Sequence, residues 1–401
     1  MAYNPTSRKA ADFINHEEIL ASLDYAEQNK NNLDLIAQII KRADDNKGVT
    51  HREAALLLAC EDETLIQEMF KLAMRIKERF YGNRIVMFAP LYLSNYCVNG
   101  CVYCPYHAKN KTIERRKLTQ EEIKKEVIAL QDMGHKRLAL EAGEDPKMNP
   151  LSYILDSIET IYSVKHKNGA IRRVNVNIAA TDQDSFKKLK DVGIGTYILF
   201  QETYHKTHYE ALHPTGPKSN YAYHTEAMDR AMEAGIDDVG VGVLFGLNHY
   251  RYDLVGMLMH AEHLEATFNC GPHTMSVPRI CPADDIDTND FPDAISDDIF
   301  KKIVAVIRIS TPYTGMIIST RESQKVREEV LKLGISQISG GSHTSIGGYD
   351  EEDKAEHVTE QFDVTDKRSL DEIVNWLLKL GHIPSFCTAC YRAYPVPERR
   401  S

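Results

Sequence analysis

Eight short apolar or β-branched runs recur along most of the chain: IVMFAPLYL, RLALEAG, VNVNIAA, TYILFQET, VGVGVLFGL, TMSVPRI, MIISTRE and ISQISGG. The pieces between and after them carry helical periodicity, as in TQEEIKKEVIALQDMG and SLDEIVNWLLKLG. The first of these opens at Thr119 with Glu122 three residues on, the pattern of a capping box. Strands that alternate with helices pair in parallel, because the intervening helix carries the chain back to the end where the previous strand began. Eight such units over roughly 290 residues predict a closed (β/α)8 barrel of TIM type, with an open doubly wound sheet as the competing arrangement. No G-x-G-x-x-G fingerprint or Walker loop follows any run, which leaves a nucleotide site of those kinds unsupported.

Residues 1–82 show no strand pattern. Asn15 and Glu18, flanked by Ile14 and Ile19, suit a capping box with a hydrophobic staple, and Thr50 with Glu53 repeats the box before AALLLAC. The expected organisation is an N-terminal helical region (1–82), the barrel (83–370), and a C-terminal helix with a cysteine-containing extension (371–401). The acidic stretch ADDIDTNDFPDAISDD lacks the carboxylate spacing and glycine of an EF-hand and is read as a solvated loop entering a helix.

The chain has 401 residues, 43% of them apolar, enough for a substantial core. Its formal charge of -10 offers no basic surface to nucleic acid or to an anionic membrane, and both are excluded as partners. The N-terminus turns polar too early for a secretory signal and no apolar run could span a bilayer, so a cytoplasmic protein is expected. In a reducing compartment, clustered cysteines are metal or redox ligands before they are disulfides. Cys60, Cys270 and Cys281 stand alone; Cys97, Cys101 and Cys104 form one cluster, Cys387 and Cys390 another.

The first cluster lies in LYLSNYCVNGCVYCPYHAKNK, directly after the first run, at the barrel face where active sites are built. Its spacing is C-x3-C-x2-C. Zinc competes for it, with His107 as the local fourth ligand, but the first pair is set wide for a zinc knuckle and no second C-x2-C is near. A 4Fe-4S cluster matches better, since three thiolates can hold three irons and leave the fourth open. Alone, the second pair suits a redox motif, half a zinc site or half an iron-sulfur site; it follows a helix instead of a strand, unlike a thioredoxin motif.

The C-x3-C-x-aromatic-C string, with Tyr103 before the last cysteine, resembles the signature of radical S-adenosylmethionine (SAM) enzymes. With QETYHKTHYEALHPTGPKSNY, GVGVLFGL, GPHTMSVPR and FCTACYR, the resemblance narrows to the HydG-type tyrosine lyases that mature iron-iron hydrogenases. It implies a 4Fe-4S cluster on Cys97, Cys101 and Cys104 that reductively cleaves SAM, and scission of the Cα–Cβ bond of L-tyrosine to p-cresol and dehydroglycine. The glycyl fragment would then become carbon monoxide and cyanide for hydrogenase H-cluster assembly.

Several roles follow from the same resemblance. Gly143 and Glu144 in EAGEDP would meet the cofactor's methionine amino group through their backbone, although Ala142 stands where the family has a first glycine. Tyr103 would lie against the adenine. Gln201 and Glu202 end the fourth run with side chains on opposite sides, so at least one should reach the cofactor. Ser319 and Arg321 would clamp the tyrosine carboxylate. His263, in preference to His273, would hold a labile iron, and Cys387 and Cys390 would serve a second, auxiliary iron-sulfur cluster.

The implied partners are L-tyrosine, a reductant such as flavodoxin or ferredoxin, and other hydrogenase maturation proteins. After FCTACYR this sequence reads AYPVPERRS, where the family continues to a third cysteine. The auxiliary cluster is therefore expected to be weak or missing, tyrosine cleavage to persist, and formation of carbon monoxide and cyanide to be impaired or to depend on a partner that supplies ligands. The rival within this chemistry is the 2-iminoacetate-forming tyrosine lyase of thiazole biosynthesis, and the rival from another class is a non-catalytic iron-sulfur scaffold. Cyanide production separates the first, reductive cleavage of SAM the second.

Overall fold

The eight runs form eight parallel strands in a computed structural model that describes residues 2–350 and 360–386. They are β1 (Arg84–Ser94), β2 (Arg137–Ala142), β3 (Arg173–Asn177), β4 (Tyr197–Glu202), β5 (Val239–Val243), β6 (Thr274–Ser276), β7 (Gly315–Ile318) and β8 (Gln337–Ser339). Each pairs with the next, and β8 returns to β1 through Val86, Met87 and Phe88. The sheet is thus a closed barrel, and the open-sheet alternative is set aside. A ninth strand, β9 (Ile383–Ser385), runs parallel to the lower end of β1, and a short hairpin joins Lys165–His166 to Gly169–Ala170. The sequence pattern signals neither of these, because two- or three-residue strands carry no measurable period.

Helices follow the strands around the outside. They begin where the sequence places caps: Thr119 and Ser369 each close a full capping box at the starts of Gln120–Met133 and Leu370–Lys379. The acidic stretch leads into helix Asp297–Ser310, which Ser296 caps.

The N-terminal residues form helices Ala10–Phe13, His16–Asn29, Leu33–Ala43, His51–Ala59 and Glu63–Tyr81. Thr50 closes its box in full, whereas Asn15 accepts from the Glu18 amide and the Glu18 carboxylate turns instead to Arg52 and His51. Apart from Arg52 and Glu53 in its first turn, His51–Ala59 is buried, packed between His16–Asn29 and the barrel helices Tyr250–Phe268 and Asp297–Ser310. One apolar core therefore runs continuously from the N-terminal helices into the barrel. Among the described residues no helix is long and apolar enough to cross a membrane.

Side chains alternate along each strand, so one set packs outward on the helices and the other lines the lumen. Leu138 and Leu140 point outward and are fully buried, while Ala139 and Glu141 face the lumen. Asn175, Asn177, Ser276, Ser319, Gln337 and Ser339 share that inner face. Branched aliphatic layers usually fill a TIM barrel; a lumen this polar has given up core packing for binding.

His51 ties the N-terminal layer to the barrel, its ring nitrogens 2.7 Å from Glu262 and 2.9 Å from Glu18. Burial opposes its charge, but the two carboxylates outweigh burial and raise its pKa. A raised pKa stabilises the fold fully below the unfolded value near ~6.5 and ceases to do so as pH rises through the folded one. Thermal melting from about pH 6 to about pH 9 should show His51→Gln well below the parent at the acid end, the gap narrowing as pH rises.

Candidate active site

The cysteine loop crosses the barrel mouth after β1 and is fixed to its neighbours through its own backbone. Val98 donates to the carbonyl of Glu144 (2.8 Å), Gly100 to Thr215 (2.9 Å) and Val102 to Leu212 (3.0 Å). Arg115 closes the loop from inside, its guanidinium donating to the carbonyls of Asn95, Tyr106 and His107. Gly143 is a glycine because the loop lies on it: a Cβ there would collide with the Tyr96 carbonyl oxygen and stand 3.1 Å from the Cys97 Cβ. Its own amide donates to Ser94 and its carbonyl accepts from Asn149, so Gly143 acts in part as a spacer under the loop.

Cys97, Cys101 and Cys104 line one wall of the resulting cavity. Burial pushes the Cys101 thiol up to about 11 and the Cys104 thiol up to about 12, so the bare site resists ionisation until iron takes the charge. Asn99 donates to the Cys97 sulfur at 3.7 Å and to the Glu144 carboxylate at 2.6 Å. His107, the ligand zinc would need, pairs instead with Asp285 at 3.0 Å. Among the described residues no three cysteine, histidine or carboxylate side chains converge tightly enough for a single ion. Three thiols on one wall of a cavity suit a cuboidal cluster, which takes three thiolates and leaves one iron open.

The remaining walls come from several strand ends. Tyr103 presents its ring to the cavity while its hydroxyl meets His213 Nε2 at 2.8 Å. Glu202 projects inward and pairs with Lys218 Nζ at 2.8 Å. Burial works against the Lys218 charge, but Glu202 and Cys101 raise its pKa. Glu202 holds a positive φ of 67°, where the β4–β5 register shifts; that bulge turns the carboxylate into the site. Gln201 points the other way, donating to Thr225 Oγ1 at 2.9 Å, and so leaves the cofactor-binding set.

The cavity continues down the lumen into a second chamber, which shares Tyr92, Glu141, Asn177, Phe200, Arg321 and Phe362 with the first. Ser319 and Arg321 both line it, at the end of β7. The Arg321 guanidinium stacks 3.8 Å from the centre of the Phe362 ring. Phe362 and Gln361 belong to a segment bonded to the loops beneath it, with Asp363 donating to Pro282 and Thr365 to Thr320. Tyr92 donates to Gln361 Oε1 at 2.7 Å. Burial pushes the Glu141 carboxyl up to about 8, against the opposing effects of Asn177 and Arg321.

His263 is not placed to hold iron. It is fully buried and stacked on Phe13, one ring nitrogen 2.7 Å from the Pro5 carbonyl and the other 2.8 Å from Asp229. Both nitrogens serve the anchoring of the N-terminal segment, which leaves none for iron. His273 stands at the lower rim, 3.4 Å from Asp238. Cys387 and Cys390 lie outside the described residues.

The sequence reading misses Glu141, Lys218, Gln361 and Phe362. Glu141 had a signal, a charge at an inward position of an otherwise apolar strand. Lys218 sits in the TGPKSNY turn, and nothing local shows that this turn folds back over the cysteine loop.

Comparison with known proteins defines the class. The radical SAM superfamily model matches residues 91–260 and the biotin and thiamin synthesis associated domain matches residues 276–383, together spanning this barrel. A crystal structure of HydG, a maturase of the [FeFe]-hydrogenase, superposes with a TM-score of 0.91 at 59% identity over 96% of this chain and 82% of that one. HydG from Carboxydothermus hydrogenoformans gives 0.85 and 42% over 96% and 86%. The 2-iminoacetate synthase of Salmonella typhimurium is 29% identical over 350 residues, 86% of this chain and 89% of its own. The chain belongs to the HydG family of radical SAM proteins.

Gly143→Ala tests the seating of the loop. Iron and sulfide bound per chain after anaerobic reconstitution should fall by about half or more, with the circular dichroism of the barrel unchanged.

Proposed function

We propose that this protein is a radical SAM carbon-carbon lyase that cleaves the Cα–Cβ bond of L-tyrosine, yielding p-cresol and dehydroglycine, for the maturation of iron-iron hydrogenases. The observation that carries this reading is that the three thiols and Arg321 face one continuous cavity in a chain of the HydG family.

A 4Fe-4S cluster held by Cys97, Cys101 and Cys104, with SAM bound to it, supplies a carbon-centred radical for hydrogen abstraction. The chain's own residues do the rest. Tyr103 offers an aromatic face to the adenine, and Glu202, Lys218, Gly143 and Glu144 supply polar groups around the rest of the cofactor. Arg321 and Ser319 hold the substrate carboxylate below, so that the reacting end faces the mouth. Phe362 and Gln361 cover that chamber and keep water from it.

Conversion of the glycyl fragment to carbon monoxide and cyanide would require a second iron-sulfur cluster on Cys387 and Cys390. A cytoplasmic flavodoxin or ferredoxin serves as the electron donor, and other maturation proteins receive the iron product. The likeness to 2-iminoacetate synthase supports a second reading, in which turnover stops at the glycyl fragment.

Anaerobic turnover of the reconstituted protein with SAM, a reductant and L-tyrosine should give 5'-deoxyadenosine and p-cresol together; 5'-deoxyadenosine with no p-cresol defeats the assignment. Carbon monoxide and cyanide in the same mixture separate hydrogenase maturation from the second reading. Arg321→Ala should lower p-cresol about a hundredfold while leaving SAM bound and its slow tyrosine-independent cleavage intact, as loss of one partner of a buried charge pair costs ~2–5 kcal/mol.

A further inference from the structure

The lower chamber holds two ionisable side chains of opposite type, Arg321 from the end of β7 and Glu141 from the end of β2. They are near enough for Arg321 to act on the carboxyl electrostatically, yet among the described residues neither is in an ion pair. Arg321 lays its guanidinium face on the Phe362 ring, while Glu141 lies beside Asn177 of the neighbouring strand, which acts against burial to lower its pKa. A carboxyl in a barrel lumen is costly to keep, and replacing it by an apolar residue would favour the fold. Its retention opposite a cation is explained by a ligand that carries both complementary charges. A free α-amino acid has that form, a carboxylate and an ammonium one carbon apart.

We infer that Glu141 binds the amino group of the substrate while Arg321 binds its carboxylate, so that β2 and β7 grip the glycyl end from two sides of the lumen. This rests on the tyrosine-lyase reading and adds to it the residue that selects an amino acid over other phenolic acids. Arg321 alone would accept any carboxylate of the right shape. Two holds at the α-carbon also fix the rotation about it, which a single clamp leaves free. Burial favours a protonated Glu141 in the empty chamber, and an arriving ammonium supplies the charge that lets the carboxyl ionise.

The test is equilibrium binding of L-tyrosine and of 3-(4-hydroxyphenyl)propanoate, the same molecule without its amino group, to cluster-loaded, SAM-bound protein kept oxidised so that no turnover occurs. The parent should prefer tyrosine by about tenfold or more, the worth of one charge-assisted hydrogen bond. Glu141→Gln keeps the shape of the side chain and should lose most of that preference by weakening tyrosine alone, with the analogue bound as before. Unchanged analogue binding shows that the chamber is intact. A variant that keeps the parent's tyrosine-to-analogue ratio, or that weakens both ligands equally, overturns the assignment to Glu141. A parent that binds analogue and SAM but shows no preference for tyrosine overturns it as well. If the parent binds neither phenolic ligand, the tyrosine reading itself falls.

Discussion

The seating of the cysteine loop on the barrel mouth is the constraint on which the rest depends. Cys97, Cys101 and Cys104 are eight residues of chain that could adopt many shapes, and one shape is imposed by backbone hydrogen bonds to Glu144, Thr215 and Leu212 and by the Arg115 clamp. Glu144 follows β2, and Leu212 and Thr215 lie at and just past the end of helix Lys206–Leu212, so the ligand geometry is inherited from the barrel's connections and not from the loop. Such preorganisation is what an open-iron site requires. Three irons must be gripped firmly enough that the fourth can be left to a small molecule. Gly143 shows how little slack exists: one methyl group there would lift the loop off its bed.

Below the loop the barrel gives up packing for polarity. Asn175, Asn177, Ser276, Gln337 and Ser339 occupy inner positions that β-branched residues usually fill. The fold can sustain this because its apolar core lies elsewhere, between the strands' outer faces, the surrounding helices and the N-terminal layer that the His51 network ties on. Stability and binding are thus carried by opposite faces of the same strands. The strained Glu202 backbone and the buried Glu141 carboxyl are local costs borne by that outer shell.

Much of this was legible beforehand. The eight strands lie where the β-branched runs stand, and Thr50 and Thr119 start their helices at the marked caps. Local interactions write those signals, and local reading recovers them. The errors share one cause. Alternation leaves the facing of a strand end open, so it cannot choose between Gln201 and Glu202, and a bulge decides which of the pair turns inward. The resemblance points to His263 as a ligand from its expected place near the barrel floor; only the packed structure reveals Pro5, Phe13 and Asp229 around it. Phe362 was invisible because its contact with Arg321 spans two separate loops.

The sequence by itself determined the alternation of strands and helices, the helix starts, and a three-thiol loop whose spacing favours an iron-sulfur cluster over zinc. These depend on residues a few positions apart, where period and spacing are already physical distances. Tertiary structure alone decided which polar side chains look into the lumen, that Lys218 and Phe362 border it, and that Glu141 and Arg321 share one chamber without pairing. Those facts arise when eight strand ends distant along the chain meet at one mouth, and no local pattern encodes the angle at which they arrive.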